Sequence, residues 1–213
     1  MIVGLEVGRR RTFASALEWP GWSRSGRDEE SALESLLSYA PRLRPVVALA
    51  GLELGSDLGP VEIVERVEGN ATTDFGAPAG QFARDAGPIE RGEWDRTAAL
   101  MQAAWQYFGD VVAHAPAELR KGPRGGGRAR DAIAAHVLAA EVEYGRKLGL
   151  PRWKPEVASA AEVESRRSAI LDVFGSGGDG QAVTERGWPL RYAARRGIWH
   201  VLDHAWEIED KSE

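Results

Sequence analysis

The spacing of apolar residues divides the chain into a short alternating part and a long helical part. Ile2-Val3-Gly4-Leu5-Glu6-Val7 alternates loosely, as a strand does. Gly8 and Arg9-Arg10-Arg11 form a turn, and Thr12-Phe13-Ala14-Ser15-Ala16-Leu17-Glu18 is a second strand, so the pair predicts a hairpin. Trp19-Pro20-Gly21-Trp22 stops it, because Pro-Gly fixes a turn. Ser25 and Asp28 make a capping-box-like start to a helix. Ala32, Leu33, Leu36, Leu37 and Ala40 then recur at helical spacing. Pro41 breaks or restarts this helix, and Arg42 to Leu54 is a second helical piece. Pro60 to Val67 is a third strand, apolar at Val61, Ile63 and Val67, with Val64 breaking the alternation.

From Gly69 to Gly92 the periodicity disappears among Gly, Pro, Asp, Asn and Thr, which reads as a linker or a long loop packed between domains. Four helical patterns follow: Glu93 to Ala115, Arg128 to Leu148, Ser159 to Phe174 with Ser159 and Glu162 as a capping box, and Leu190 to Asp210. The Gly-rich run Gly175 to Gly180 closes the third. The expected fold is an α+β N-terminal domain (β-β-α-β) followed by an all-α up-down four-helix bundle. The expected boundaries are 1–75 for the small domain, 76–92 for the linker and 93–213 for the bundle.

With 43% hydrophobic and 28% charged residues, the chain has enough apolar side chain for a core, which excludes a fully disordered protein. The longest apolar-plus-Gly stretch, Val46 to Leu52, is far short of the ~20 residues that cross a bilayer. Met1 leads directly into the first strand with no basic or apolar leader, so a cytoplasmic protein with no membrane partner is expected. There is no cysteine, so any metal must be held by His, Asp or Glu. The net charge is −5, and residues 1–75 hold eight Lys/Arg against twelve Asp/Glu. No nucleic-acid partner is expected of such a surface.

Two of the four histidines, His200 and His204, lie four apart in the fourth helix and so share a face. A third, His136, lies in the middle of the second helix. In a bundle, facing helices supply ligands to one interior site, and three His ligands would leave a position open for water or substrate. The alternative is a set of solvated or core histidines. Glu207 follows His200 by seven residues, and Glu143 follows His136 by seven, nearly two turns in each case. Either carboxylate could ligate the metal, orient an imidazole or move protons, and both are candidate catalytic residues. Ala129, Ala132, Ala139, Ala140, Ala193 and Gly197 flank the histidines, leaving room for an ion or allowing close helix packing. Trp94, Trp105, Trp153, Trp188, Trp199 and Trp206 read as core or as a pocket wall. Lys121 to Arg130 carries four basic residues and reads as a solvated loop or an anion site at a helix start. His114, at a helix end, suits the helix dipole and is left out of the site.

In the helical half, His136 and the run His200-Val201-Leu202-Asp203-His204 resemble the DinB-like family of metal-binding four-helix bundles, over roughly residues 90–213. The resemblance implies that His136, His200 and His204 hold a divalent metal, zinc or nickel above others. It also implies that an external low-molecular-weight thiol is a possible cosubstrate in transferase or isomerase reactions. Pro20-Gly21-Trp22, Gly26 and Glu29-Glu30-Ser31-Ala32-Leu33, preceded by two strands, resemble a HicB-like small domain, which implies a fold and no more. The expected function is a metal-dependent thiol transferase, isomerase or hydrolase acting on a small-molecule substrate. The alternative is a non-catalytic interaction module in which the metal is structural or vestigial. RNA binding is a third reading, opposed by the acidic first third. A homodimer is the commonest oligomer and the one to expect.

Overall fold

The computed structural model describes residues 1–121, 127–175 and 179–212. Parts of the basic Gly-rich loop and of the Gly175–Gly180 run fall outside these residues. The chain is α+β: a small mixed sheet followed by long helices. The strands are β1 (Ile2–Val7), β2 (Thr12–Ala16), β3 (Ser23–Gly26) and β4 (Glu62–Glu68). The helices are α1 (Glu29–Ser38), α2 (Ala40–Leu49), α3 (Ala71–Phe75), α4 (Arg91–His114), α5 (Arg130–Lys147), α6 (Ala160–Gly175) and α7 (Leu190–Ser212). No helix among the described residues is long and apolar enough to cross a membrane.

The sheet order is β3-β2-β1-β4, with β1 antiparallel to β2 and parallel to β4. One more strand is present than the hydrophobic pattern predicts. Ser23-Arg24-Ser25-Gly26 carries no apolar side chain, yet it pairs with β2, and the Ser23 and Ser15 hydroxyls lie 2.8 Å apart. The start of α1 also differs from the expected Ser25–Asp28 box. Asp28 is the N-cap: its carboxylate accepts from the Ser31 N–H at 2.9 Å, and the Ser31 hydroxyl accepts from the Asp28 N–H at 3.1 Å. Pro41 opens α2, where its missing N–H costs nothing, and Pro45 lies inside that helix. The Ser159–Glu162 box at the start of α6 is present.

Both faces of the central strands are covered. The register puts Val3 and Leu5 opposite Ala16 and Ala14, and all four are buried in one core with Ala32 and Leu36 of α1. The other face carries Gly4, Glu6, Phe13 and Ser15, and it meets residues 73–82 and α7. Phe82 crosses Gly4 so closely that a Cβ there would lie 2.5 Å from its ring. The buried Glu6 carboxylate accepts the Ala79 N–H at 3.0 Å and the Thr73 hydroxyl. Phe13 meets Trp199 of α7 edge-on at 6.1 Å. Between α3 and α4, a 3-10 turn at Ala83–Ala86 is locked to α7 by a buried Arg195–Asp85 ion pair.

The four long helices stand within two residues of the sequence-predicted bounds at each end. Helix α7 packs on α4 and α5, and α4 also touches α2 and α6. Trp94 of α4 stacks on Phe174 of α6 at 5.7 Å. One hydrophobic cluster runs from Val3 of β1 to Ile208 of α7, so sheet and helices share a core.

Two measurements check this packing. Gly21 has φ +92°, and a Cβ there would lie 2.2 Å from Ile198 Cγ2 of α7. Gly21→Ala combines a left-handed backbone with overpacking and is expected to cost at least ~2 kcal/mol in urea unfolding. Arg191 grips Glu93 with two hydrogen bonds, 2.6 and 2.9 Å, joining the first turns of α7 and α4. That grip holds the Glu93 carboxyl below its usual value of 4.5. Its contribution is therefore present above that value and lost as pH falls through the lowered one. Glu93→Gln is expected to cost ~1 kcal/mol at pH 7, small because the pair is partly solvated, and progressively less as the pH is lowered.

Candidate metal centre

Helix α7 presents His200 and His204 one turn apart, and α5 presents His136 opposite them. The ring centroids form a tight triangle: 4.6 Å for His200–His204, 4.9 Å for His136–His204 and 5.1 Å for His136–His200. One ring nitrogen from each lies within 4.8 Å of the other two. His200 Nε2 and His136 Nε2 are 3.3 Å apart. Two ligands on a tetrahedral ion at ~2.0–2.1 Å are about 3.4 Å apart, so this pair is already at metal-binding separation. The third ligand needs a shift of about an ångström. The trio could hold a metal ion, and its all-imidazole donors suit zinc, nickel, copper and iron alike.

The electrostatics favour the ligating form of His200 and His136. His200 and His204 are buried, while His136 is exposed at the mouth. Burial, with the neighbouring histidines and the Arg196 and Arg128 charges, pushes His200 down to about 2. Burial and Arg128 also lower His136. A neutral imidazole keeps a lone pair for a metal, whereas a protonated one has none.

The two glutamates separate. Glu207 Oε2 accepts the His204 Nδ1–H at 2.7 Å, and Glu207 Oε1 is bound by Lys211 Nζ. These hydrogen bonds hold the Glu207 carboxyl down at about 2. Of the three roles open to it, the geometry fits orientation: with Nδ1 occupied, His204 offers Nε2 to the trio. Glu143 is not brought to the trio. Its oxygens are taken by Arg146 at 2.9 Å and Arg152 at 2.6 Å, and it borders an outer groove with Ala139 and Trp153. The periodicity put it on the His136 face, but two arginines within reach outcompete a neutral imidazole for a carboxylate.

Of the tryptophans, Trp94, Trp105, Trp199 and Trp206 are core. Trp188 packs at 5.3 Å on Tyr144, whose ring lies 5.5 Å from His200. His114 bonds the Asp110 carbonyl, away from the trio. Glu141, which belongs to no motif, is a carboxylate only 7% exposed that borders a cavity beside His200 and is paired with Arg167. The signal for it was present: Ile133, Val137, Glu141 and Gly145 form one buried stripe at steps of four.

Comparison with family models, curated proteins and solved structures returns no match to this chain.

The different placement of the two glutamates is testable by metal titration. Glu207→Ala is expected to weaken zinc binding by ~10-fold or more, because His204 loses its anchor. Glu143→Ala is expected to leave it unchanged.

Proposed function

We propose that this protein is a divalent-metal-binding protein of the DinB-like type, its four long helices forming the bundle and His136, His200 and His204 forming the metal site. The observation that carries this reading is the convergence of three imidazoles from two helices, two of them buried, with one nitrogen of each within 4.8 Å of the others and one pair at ligand separation. A bound divalent metal would bring a water pKa toward ~7 or hold a thiol as its thiolate. Since the chain has no cysteine, that thiol comes from outside. The chain's own part is to hold three imidazoles together. Glu207 fixes the tautomer of His204, and His136 at the exposed edge admits a small-molecule substrate. The activity this supports best is a metal-dependent transfer, isomerisation or hydrolysis.

A structural role for the metal is favoured by one observation. Helix α5 packs mainly on α7, and its buried residues are few. The ligands join these two helices, so an ion would clamp them.

Metal content of untagged protein, by plasma mass spectrometry, tests the site. About one zinc or nickel per chain is expected in the parent and none in the His200→Ala/His204→Ala variant. A parent that stays empty after incubation with zinc or nickel refutes the site. If metal removal lowers the melting temperature and no thiol-dependent turnover is found, the structural role stands instead of the catalytic one.

A further inference from the structure

His200 has two ring nitrogens and the trio uses one. Its Nε2 faces His136 at 3.3 Å, and its Nδ1 has no hydrogen-bond partner among the described residues. His204 differs, with its Nδ1 held by Glu207. A metal-bound imidazole ordinarily has its second N–H held by a carboxylate, a carbonyl or a water, which sets its tautomer and aim. His200 therefore lacks a direct holder that His204 has.

His200 does border a cavity of ≈ 20 Å³, whose wall includes Met101, Trp105, Glu141, Tyr144 and Gly197. That volume suits a single water molecule. The wall is mainly apolar, and in it sits the buried Glu141 carboxylate. Arg167 donates one hydrogen bond to each oxygen, at 3.1 and 2.9 Å. A carboxylate has about four acceptor sites, so Glu141 keeps capacity beyond this pairing. A water here would have a donor in His200 and an acceptor in Glu141.

We propose that Glu141 is a positioning residue for His200, reached through one water in this cavity: His200 Nδ1–H donates to the water, and the water donates to the Glu141 carboxylate. Glu141 would then do for His200, at one remove, what Glu207 does for His204. The inference rests on the three-histidine metal site proposed above.

Gly197 supplies a test that leaves both partners intact. It lies one turn before His200 on α7, and a Cβ built on it would sit 3.1 Å from the flexible end of Met101. Gly197→Ala places a methyl group in the water's space, while alanine is the better helix former. Metal-free full-length parent, Glu141→Gln and Gly197→Ala would each be titrated with cobalt(II), following its visible d–d absorption, beside thermal melts without metal. The expected result is a 10–100-fold weaker Kd in both variants with an altered cobalt spectrum, while Gly197→Ala melts at or above the parent temperature. If both variants bind as the parent does, the water link is wrong and the three-histidine site survives. If only Glu141→Gln weakens binding, and it melts early, Glu141 is a structural partner of Arg167 and the proposal is overturned. A parent that takes up no cobalt overturns the metal site and this proposal together.

Discussion

Helix α7 is buried around most of its circumference, and a helix of that kind must be matched on every side. One side fits the sheet: Ile198 lies against Gly21, Trp199 against Phe13, and Arg195 reaches Asp85. Another carries His200 and His204 toward α5. Arg24 and Arg42, from the first third of the chain, pair with Asp203, Glu209 and Asp210 of α7. The histidines are therefore fixed by a helix that the sheet and its flanking helices hold in rotation and height. A shift of α7 that relieved one contact would break others, because packed interiors deform little.

The same constraint explains the balance of polarity around the trio. A buried imidazole is costly to protonate unless it is paired, and the surroundings differ ring by ring: His204 is hydrogen-bonded to the Glu207 carboxylate, while His200 borders a mainly apolar cavity. The third ring, on α5, is left at the surface. Two ligands are thus preorganised on one rigid helix, and the third belongs to a helix with a lighter hold on the rest.

The sequence made some of this legible and hid the rest for identifiable reasons. Strands β1 and β2 and the four long helices follow from periodicity and caps, because their signals are local. The i,i+4 pair of histidines could be read, since four histidines are few and a helix face is a simple geometric object. Glu143 and Glu207 had the same seven-residue spacing from a histidine but met different neighbours. What distinguishes Glu207 is its place three residues after His204. What diverts Glu143 is Arg152, beyond the end of its own helix. Strand β3 was hidden because a polar segment joins a sheet through hydrogen bonds, which leave no apolar alternation to read. Glu6 alternates like a solvent-facing residue and is 1% exposed, satisfied by residues 73 and 79. The burial of Glu6 depends on contacts distant in sequence, which no local pattern encodes.

The approach of Gly21 to Ile198 bears on how the molecule assembles. The second face of the sheet is covered partly by residues 73–82, which follow β4 closely, and partly by α7, the last of the described elements. Until then Phe13 lacks its aromatic neighbour and Gly21 has nothing packed against it, whereas Gly4 is covered by Phe82. A sheet open on one face is marginal in water, and contacts of such long sequence separation form slowly. The N-terminal strands of this protein are thus expected to wait on the last helix during synthesis, and the interval in which they wait is when strand-to-strand association between nascent chains is most favoured.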